Sequence, residues 1–344
     1  MSRLRISQIR LLSTTATKPT VEPYYNIKKQ VDEFTYYHSL RPKYKPLVYR
    51  FKNTHKLDSL NLIDHDGKPL INREYPGIPS IIKFNKFIQN LIFIEELQNV
   101  KKSLIKLDDT NIGRDFIKPS LINSYLLKSC TFGEFNKELM FIKSLKNFEN
   151  FKGGRLIEFL FCLRTIEFRQ LGIVNVDNCL NKIKRGLKYI NDSKSDIENH
   201  NTTDLIELSK LSMLVQVELN QLNSNEESHD SQRLQNEINK ILSNLTTIKN
   251  YEINENAMLN KDGAISYFGR FEHRYTVVKL FVDTVMQLPV DKQLQYNQLL
   301  NQLQPWLVKM DELKKIANIK RGMYHILTTR CKFQQPPPQP QQSE

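Results

Sequence analysis

The stretch from Tyr36 to Lys56, YYHSLRPKYKPLVYRFKNTHK, holds six bases and no acid. Tyr36, Tyr37, Tyr44, Tyr49 and Phe51 are interleaved with those bases. Closely spaced cations neutralise phosphates and release their counterions, so each contact adds both affinity and salt dependence. Flat tyrosine faces accept unstacked bases, at about 1–3 kcal/mol per stacked base. Arg41, Lys43, Tyr44, Lys45, Tyr49, Arg50, Lys52 and Lys56 are therefore the candidate RNA-binding residues. Pro42 and Pro46 read as keeping the segment extended, which lowers the entropy lost when it lies along a groove. The same composition also describes an arm wrapped over its own domain, with tyrosines packed and lysines in water.

Elsewhere the reactive residue types do not fall into catalytic spacings. The seven histidines show no HExxH or other metal-ligand interval. Asp64-His65-Asp66 is the one tight His–carboxylate group, and Gly67 beside it reads as a turn. Gly153-Gly154-Arg155 precedes an apolar helix, whose first N–H groups suit a phosphate. Nothing resembling GxxxxGK[ST] or GxGxxG surrounds it, so loop closure is the simpler role. Further bases lie at Arg270, His273 and Arg274, and at Lys309, Lys314, Lys315, Lys320, Arg321 and Arg330, where they read as solvated faces. Cys130, Cys162, Cys179 and Cys331 stand far apart, without a CxxC pair. The first three sit among apolar neighbours and read as small core side chains. The expectation is a protein with no catalytic residues, no cofactor and no bound metal.

Stepping out from those residues, MSRLRISQIRLLSTTATKPT at residues 1–20 carries Arg3, Arg5, Arg10 and Lys18, with no acid before Glu22. A basic, hydroxylated, acid-poor start is the composition of a mitochondrial presequence, with cleavage expected near Leu12. Its apolar residues form no run long enough for a secretory signal. The formal charge is +13, unevenly spread. Residues 192–237 form an acidic belt of ten acids against three bases, so the rest of the chain is strongly basic. Basic surfaces with one acidic belt suit a polyanionic partner met in a fixed orientation. No stretch approaches eighteen consecutive apolar residues, which argues against a spanning helix. The expected location is the mitochondrial matrix, free or peripheral to the inner membrane.

Residues 21–80 hold prolines 23, 42, 46, 69, 76 and 79 and many tyrosines, and read as an extended Pro/Tyr-rich basic arm with one short hairpin at 61–71. Residues 81–332 read as an α-helical domain. Apolar residues recur at three and four from Ile81 to Ile105, then over about 119–130, 133–148, 154–171 and 175–190. Asp204 with Glu207 reads as the start of a helix to Leu222, followed by helices at about 230–249 and 265–288. Pro305 reads as opening a last helix through Leu327. Residues 333–344, ending QQPPPQPQQSE, read as a disordered tail. Short links between amphipathic helices predict an all-α fold of irregular stacked hairpins or a bundle, with the extended arm attached.

The leader MSRLRISQIRLLS, the arm YYHSLRPKYKPLVYRFK and the helical, motif-poor body resemble fungal mitochondrial gene-expression proteins as a type. That group includes mitoribosomal subunits, RNA-maturation factors and translation factors. The resemblance transfers no individual functional residue. It implies a non-enzymatic protein acting on mitochondrial RNA or the mitochondrial ribosome, with the helical body docking protein partners. An assembly factor for a respiratory-chain complex, holding a client in a helical groove, is the alternative. An enzyme without a recognisable motif is a third.

Overall fold

In the computed structural model the described residues are 21–109, 117–146, 154–188, 200–224, 230–245, 253, 258–320 and 322–333. The leader expected at residues 1–20 and the tail from 334 lie outside them. The fold is all-α, and among the described residues the only β pairing is one isolated bridge between Ile63 and Pro69. The chain divides into two compact units, Met1–Phe87 and Ile88–Glu344.

The first unit corrects the expectation of an extended arm. It contains helices α1 (Val21–Ser39), α2 (Lys45–Val48) and α3 (Thr54–Leu60), a 3-10 turn at Phe51–Asn53, and most of α4 (Ile81–Gln89). Ile27, Val31, Phe34 and Thr35 are buried on α1, a spacing of four, three and one that lines one helix face. Pro23 falls in the first turn of α1, where a missing N–H costs nothing. Pro42 follows Arg41 in a turn closed by Tyr44 N–H donating to the Arg41 carbonyl (2.9 Å). Pro46 lies in the first turn of α2. Both prolines thus occupy positions that proline's fixed φ favours in turns and helix starts, rather than extended chain. The hairpin is real but minimal: Leu70 N–H donates to the Leu62 carbonyl (2.8 Å), and Gly67 takes φ 76° at its tip.

The apolar period breaks just inside the second unit, which starts at Ile88 near the end of α4. The pattern from Ile81 to Ile105 forms two helices, because the Glu96 carboxylate accepts from Ile92 N–H (3.0 Å) and Phe93 N–H (3.3 Å) and so caps a new helix, α5 (Ile94–Asp108). Next come α6 (Pro119–Thr131), α7 (Phe135–Lys143), α8 (Gly154–Leu171) and α9 (Val176–Leu187). Gly133 at φ 78° turns the chain between α6 and α7, and Gly172 at φ 61° does so between α8 and α9. The remaining helices are α10 (His200–Ser224), α11 (Ser231–Asn244), α12 (Lys261–Val285), the short α13 (Val290–Gln293), α14 (Asn297–Ile316) and α15 (Met323–Thr329).

Helix α10 is the centre of this unit, packing on α8 and α12, with α9 and α11 also against it and α14 packing on α12. It begins at His200, ahead of the cap read at Asp204. Its residues are buried almost all round, including polar Ser209, Ser212, Gln216, Glu218, Asn220 and Gln221. The serines and amides among them are hydrogen-bonded within the unit, as burial demands. Asn220 Nδ2 donates to the Phe168 (2.9 Å) and Ile173 (3.0 Å) carbonyls, and Gln221 Nε2 donates to the Val174 carbonyl (3.0 Å). Together they clasp the α8–α9 turn. Arg169 donates to Gln216 (2.9 Å) and to Thr284 (2.8 Å), tying α8 to α10 and α12.

Three further expectations are corrected here. Glu218, counted in the acidic belt, is 6 % exposed and accepts from the Tyr296 hydroxyl (3.1 Å), so its charge lies in the core. Pro305 lies inside α14 rather than at its start. The carbonyl four residues earlier, which proline cannot bond, belongs to Asn301, an exposed residue open to solvent. The last helix of the sequence reading is two, separated where Asn318 adopts φ 54° and Ile319 N–H returns to the Lys314 carbonyl (3.1 Å).

Candidate nucleic-acid interface

The basic stretch of the first unit is folded around a small core of its own. Leu40, Val48, Leu57 and Leu70 are buried together, with Tyr36, Tyr44, Leu47, Tyr49 and Leu62 packed against them. Successive short helical turns place one apolar residue inward each time and leave the intervening bases outside. Arg41, Lys43, Arg50, Lys52 and Lys56 are exposed, and none forms an ion pair among the described residues. Arg73 behaves differently: it pairs with Glu33 (2.7 Å), and its guanidinium lies over the Tyr36 ring at 4.3 Å. Its N–H donates to the Val48 carbonyl (2.9 Å), so Arg73 is a structural tie.

The tyrosines follow the alternative reading of packed side chains. Tyr49 meets Tyr37 edge-on at 5.0 Å between ring centroids, and Tyr37 meets Tyr75 in the same way at 5.0 Å. Burial pushes the Tyr49 phenol well above its ordinary value. Tyr44 is half-buried against the core, with Lys43 Nζ 5.1 Å from its ring centroid. Neither Tyr44 nor Tyr49 presents a free face of the kind a base needs. Lys45 is also turned inward in part, its Nζ lying 4.6 Å from the Tyr37 ring centroid. The structure therefore gathers the eight sequence candidates on one folded element but separates their roles. Arg41, Arg50, Lys52 and Lys56 are exposed cations with neither an ion pair nor a ring contact among the described residues, Lys43 is an exposed cation beside the Tyr44 ring, Lys45 is engaged on the Tyr37 ring, and the two tyrosines pack.

One residue outside that set is brought forward. Phe51 is 71 % exposed, between Arg50 and Lys52. Its position between two bases was visible in the sequence; that it alone of the stretch's aromatics points to water was not.

The Asp64-His65-Asp66 group is a turn. The Asp64 carboxylate accepts from Asp66 N–H (2.9 Å), Lys68 N–H (2.8 Å) and the Tyr36 hydroxyl (3.3 Å). Those bonds, the one from Lys68 N–H above all, hold its carboxyl below the ordinary value. Among the described residues no three His, Cys, Asp or Glu side chains gather as a metal site. No helix among them is long and apolar enough to cross a membrane. Gly153 lies outside the described residues, and Arg155 is exposed at the start of α8.

In the second unit, the basic cluster near residue 270 is divided: Arg270 is exposed, and His273 makes a structural contact. His273 Nε2 lies 2.6 Å from Glu158 Oε2, and Glu272 accepts from Met323 N–H (2.7 Å). The four cysteines are buried free thiols, and burial pushes Cys179 up to about 12. They are poor nucleophiles in that state.

Residues 8–90 match the family model of the MRP13-like N-terminal domain, from a mitochondrial ribosomal protein family. The match spans about a quarter of the chain and ends close to the unit boundary after Phe87, so it coincides with the unit that carries the free cations. A search of curated proteins finds no match to the chain. The N-terminal part of this protein is thus similar to a mitochondrial ribosomal protein domain, which gives the chain a mitochondrial, ribosome-related setting.

Proposed function

We propose that this protein acts without catalysis in the mitochondrial matrix, binding RNA of the mitochondrial ribosome through the basic face of its first unit. In this reading it is a small-subunit component or a translation or RNA-maturation factor, and its helical second unit docks protein neighbours. The observation that carries the reading is the set Arg41, Lys43, Arg50, Lys52 and Lys56. These cations are exposed and without ion pairs among the described residues, on the unit that matches the ribosomal family. Free cations held on a folded scaffold neutralise phosphates without the entropic cost of ordering a loose arm.

The test is affinity of the full chain for mitochondrial ribosomal RNA across a salt series. Replacing all five residues by Gln is expected to flatten the slope by about 0.7 per lost phosphate contact on single strands. A wild-type protein whose binding ignores salt, or a quintuple variant with an unchanged slope, would overturn the assignment of this face. Sedimentation of native matrix extract with and without RNase provides the cellular counterpart. Co-migration with ribosomal particles that RNase abolishes is expected; co-migration with a membrane complex that survives RNase would favour the assembly-factor alternative.

A further inference from the structure

We infer that Phe51 is a stacking platform for one unpaired base, so that the basic face prefers single-stranded RNA over duplex. The inference rests on the RNA-binding reading above and adds the kind of RNA.

Three observations carry it. Phe51 is 71 % exposed, whereas Tyr36, Tyr44 and Tyr49 of the same stretch are packed against the small core. Its backbone is held firmly. Asn53 Nδ2 donates to the Pro46 carbonyl (2.8 Å), Thr54 Oγ1 donates to the Phe51 carbonyl (2.6 Å), and Asn53 N–H donates to the Arg50 carbonyl (2.9 Å). Buried Val48 and Leu57 anchor the chain on either side of this 3-10 turn. Finally, the residues flanking the ring, Arg50 and Lys52, are exposed cations without ion pairs among the described residues. An exposed ring on a fixed backbone, with a cation directly before it and another directly after it in the chain, matches the repeating chemistry of a single strand, a base between two phosphates. A duplex offers the phosphates but keeps its base faces stacked inside, so it can engage the cations and not the ring. A protein partner would cover the ring equally well, but the adjoining free cations favour a polyanion.

The experiment compares the full chain with Phe51→Leu and Phe51→Trp on an RNA single strand of about 12 nucleotides, a length within known site sizes, and on a duplex of equal length. Phe51→Leu keeps the apolar bulk and removes the π face. It is expected to weaken single-strand binding by roughly fivefold to a hundredfold while leaving duplex binding and the salt slope unchanged. Phe51→Trp is expected to retain single-strand affinity and to show tryptophan quenching on binding. If wild type fails to bind RNA with salt dependence, the RNA-binding reading itself falls. If it binds but Phe51→Leu weakens neither RNA, or both equally, the stacking inference alone is overturned. Loss of ribosomal co-sedimentation by Phe51→Leu with RNA affinity intact would instead assign the ring to a protein contact, and would also overturn it.

Discussion

Lys45 Nζ lies 4.6 Å from the ring centroid of Tyr37, so this base of the Tyr36–Lys56 stretch, like Lys43 beside Tyr44, is already engaged by its own fold. A cation on an aromatic face gains about 0.5–1 kcal/mol at an exposed site, which it would forfeit on moving to a phosphate. Exposed Arg50 and Lys52 carry no such cost. Single neutralisations should therefore separate. Lys52→Gln and Arg50→Gln are each expected to reduce the salt slope of RNA binding by about 0.7, and Lys45→Gln by clearly less. Equal slopes for all three would mean that Lys45 leaves the ring on binding.

Tyr49 has a buried hydroxyl with no hydrogen-bond partner among the described residues. A buried, unmade bond costs about 1–3 kcal/mol relative to having no polar group there. Tyr49→Phe keeps the edge-on ring contact and removes the cost, so it is expected to raise the stability of the first unit. Tyr49→Ala, which empties the ring's space, should lower it by about 3–5 kcal/mol. Amide hydrogen exchange in residues 36–75 reads both changes without requiring the whole chain to unfold in one step. Faster exchange in Tyr49→Phe would show that the hydroxyl has a partner in solution.

Gly186 lies in α9, and a Cβ there would come within 2.5 Å of Phe161 Cε1 and 2.9 Å of Cζ on α8. Replacing a helical glycine by alanine normally gains about 1 kcal/mol. Forcing an extra methyl into a packed core costs about 1–3 kcal/mol, and Phe161 is itself buried with little room to shift. The steric cost should win. Gly186→Ala is expected to lower the thermal midpoint, and adding Phe161→Leu should recover most of the loss. A stabilised single variant would show that the ring moves freely.

Glu272 gives a pH dependence with a definite sign. Burial raises its carboxyl above the ordinary 4.5, and the Met323 N–H bond and the charges of Lys314 and His273 oppose that shift only in part. The folded chain therefore holds this proton more tightly than the unfolded chain. The contribution is unfavourable above the raised folded value and fades as pH falls through it toward the unfolded value. Glu272→Gln, whose carbonyl can still accept from Met323 N–H, is expected to be more stable than wild type at neutral pH. The difference should shrink in acid. A difference that grows toward acid would show that the carboxylate is net stabilising.

The helical body was legible from residue order because its cues are local. The periodic apolar runs read at 119–130, 154–171 and 175–190, which become α6, α8 and α9, act within a turn or two of themselves. The first unit was misread for the opposite reason. Proline suits an extended chain, a turn and a helix start equally well, and only the burial of Leu40, Val48, Leu57 and Leu70 selects among them at Pro42 and Pro46. Glu218 shows the same limit, since a carboxylate in a charged stretch turns inward only when a distant partner such as Tyr296 arrives to receive it. Residue types and spacing thus determined by themselves that this chain is helical and basic, with six bases and no acid gathered at 36–56, because charge and periodicity are properties of neighbours along the chain. Tertiary structure alone decided which bases stay free, which tyrosines pack and that Phe51 faces water, because exposure is set by contacts between residues far apart in sequence.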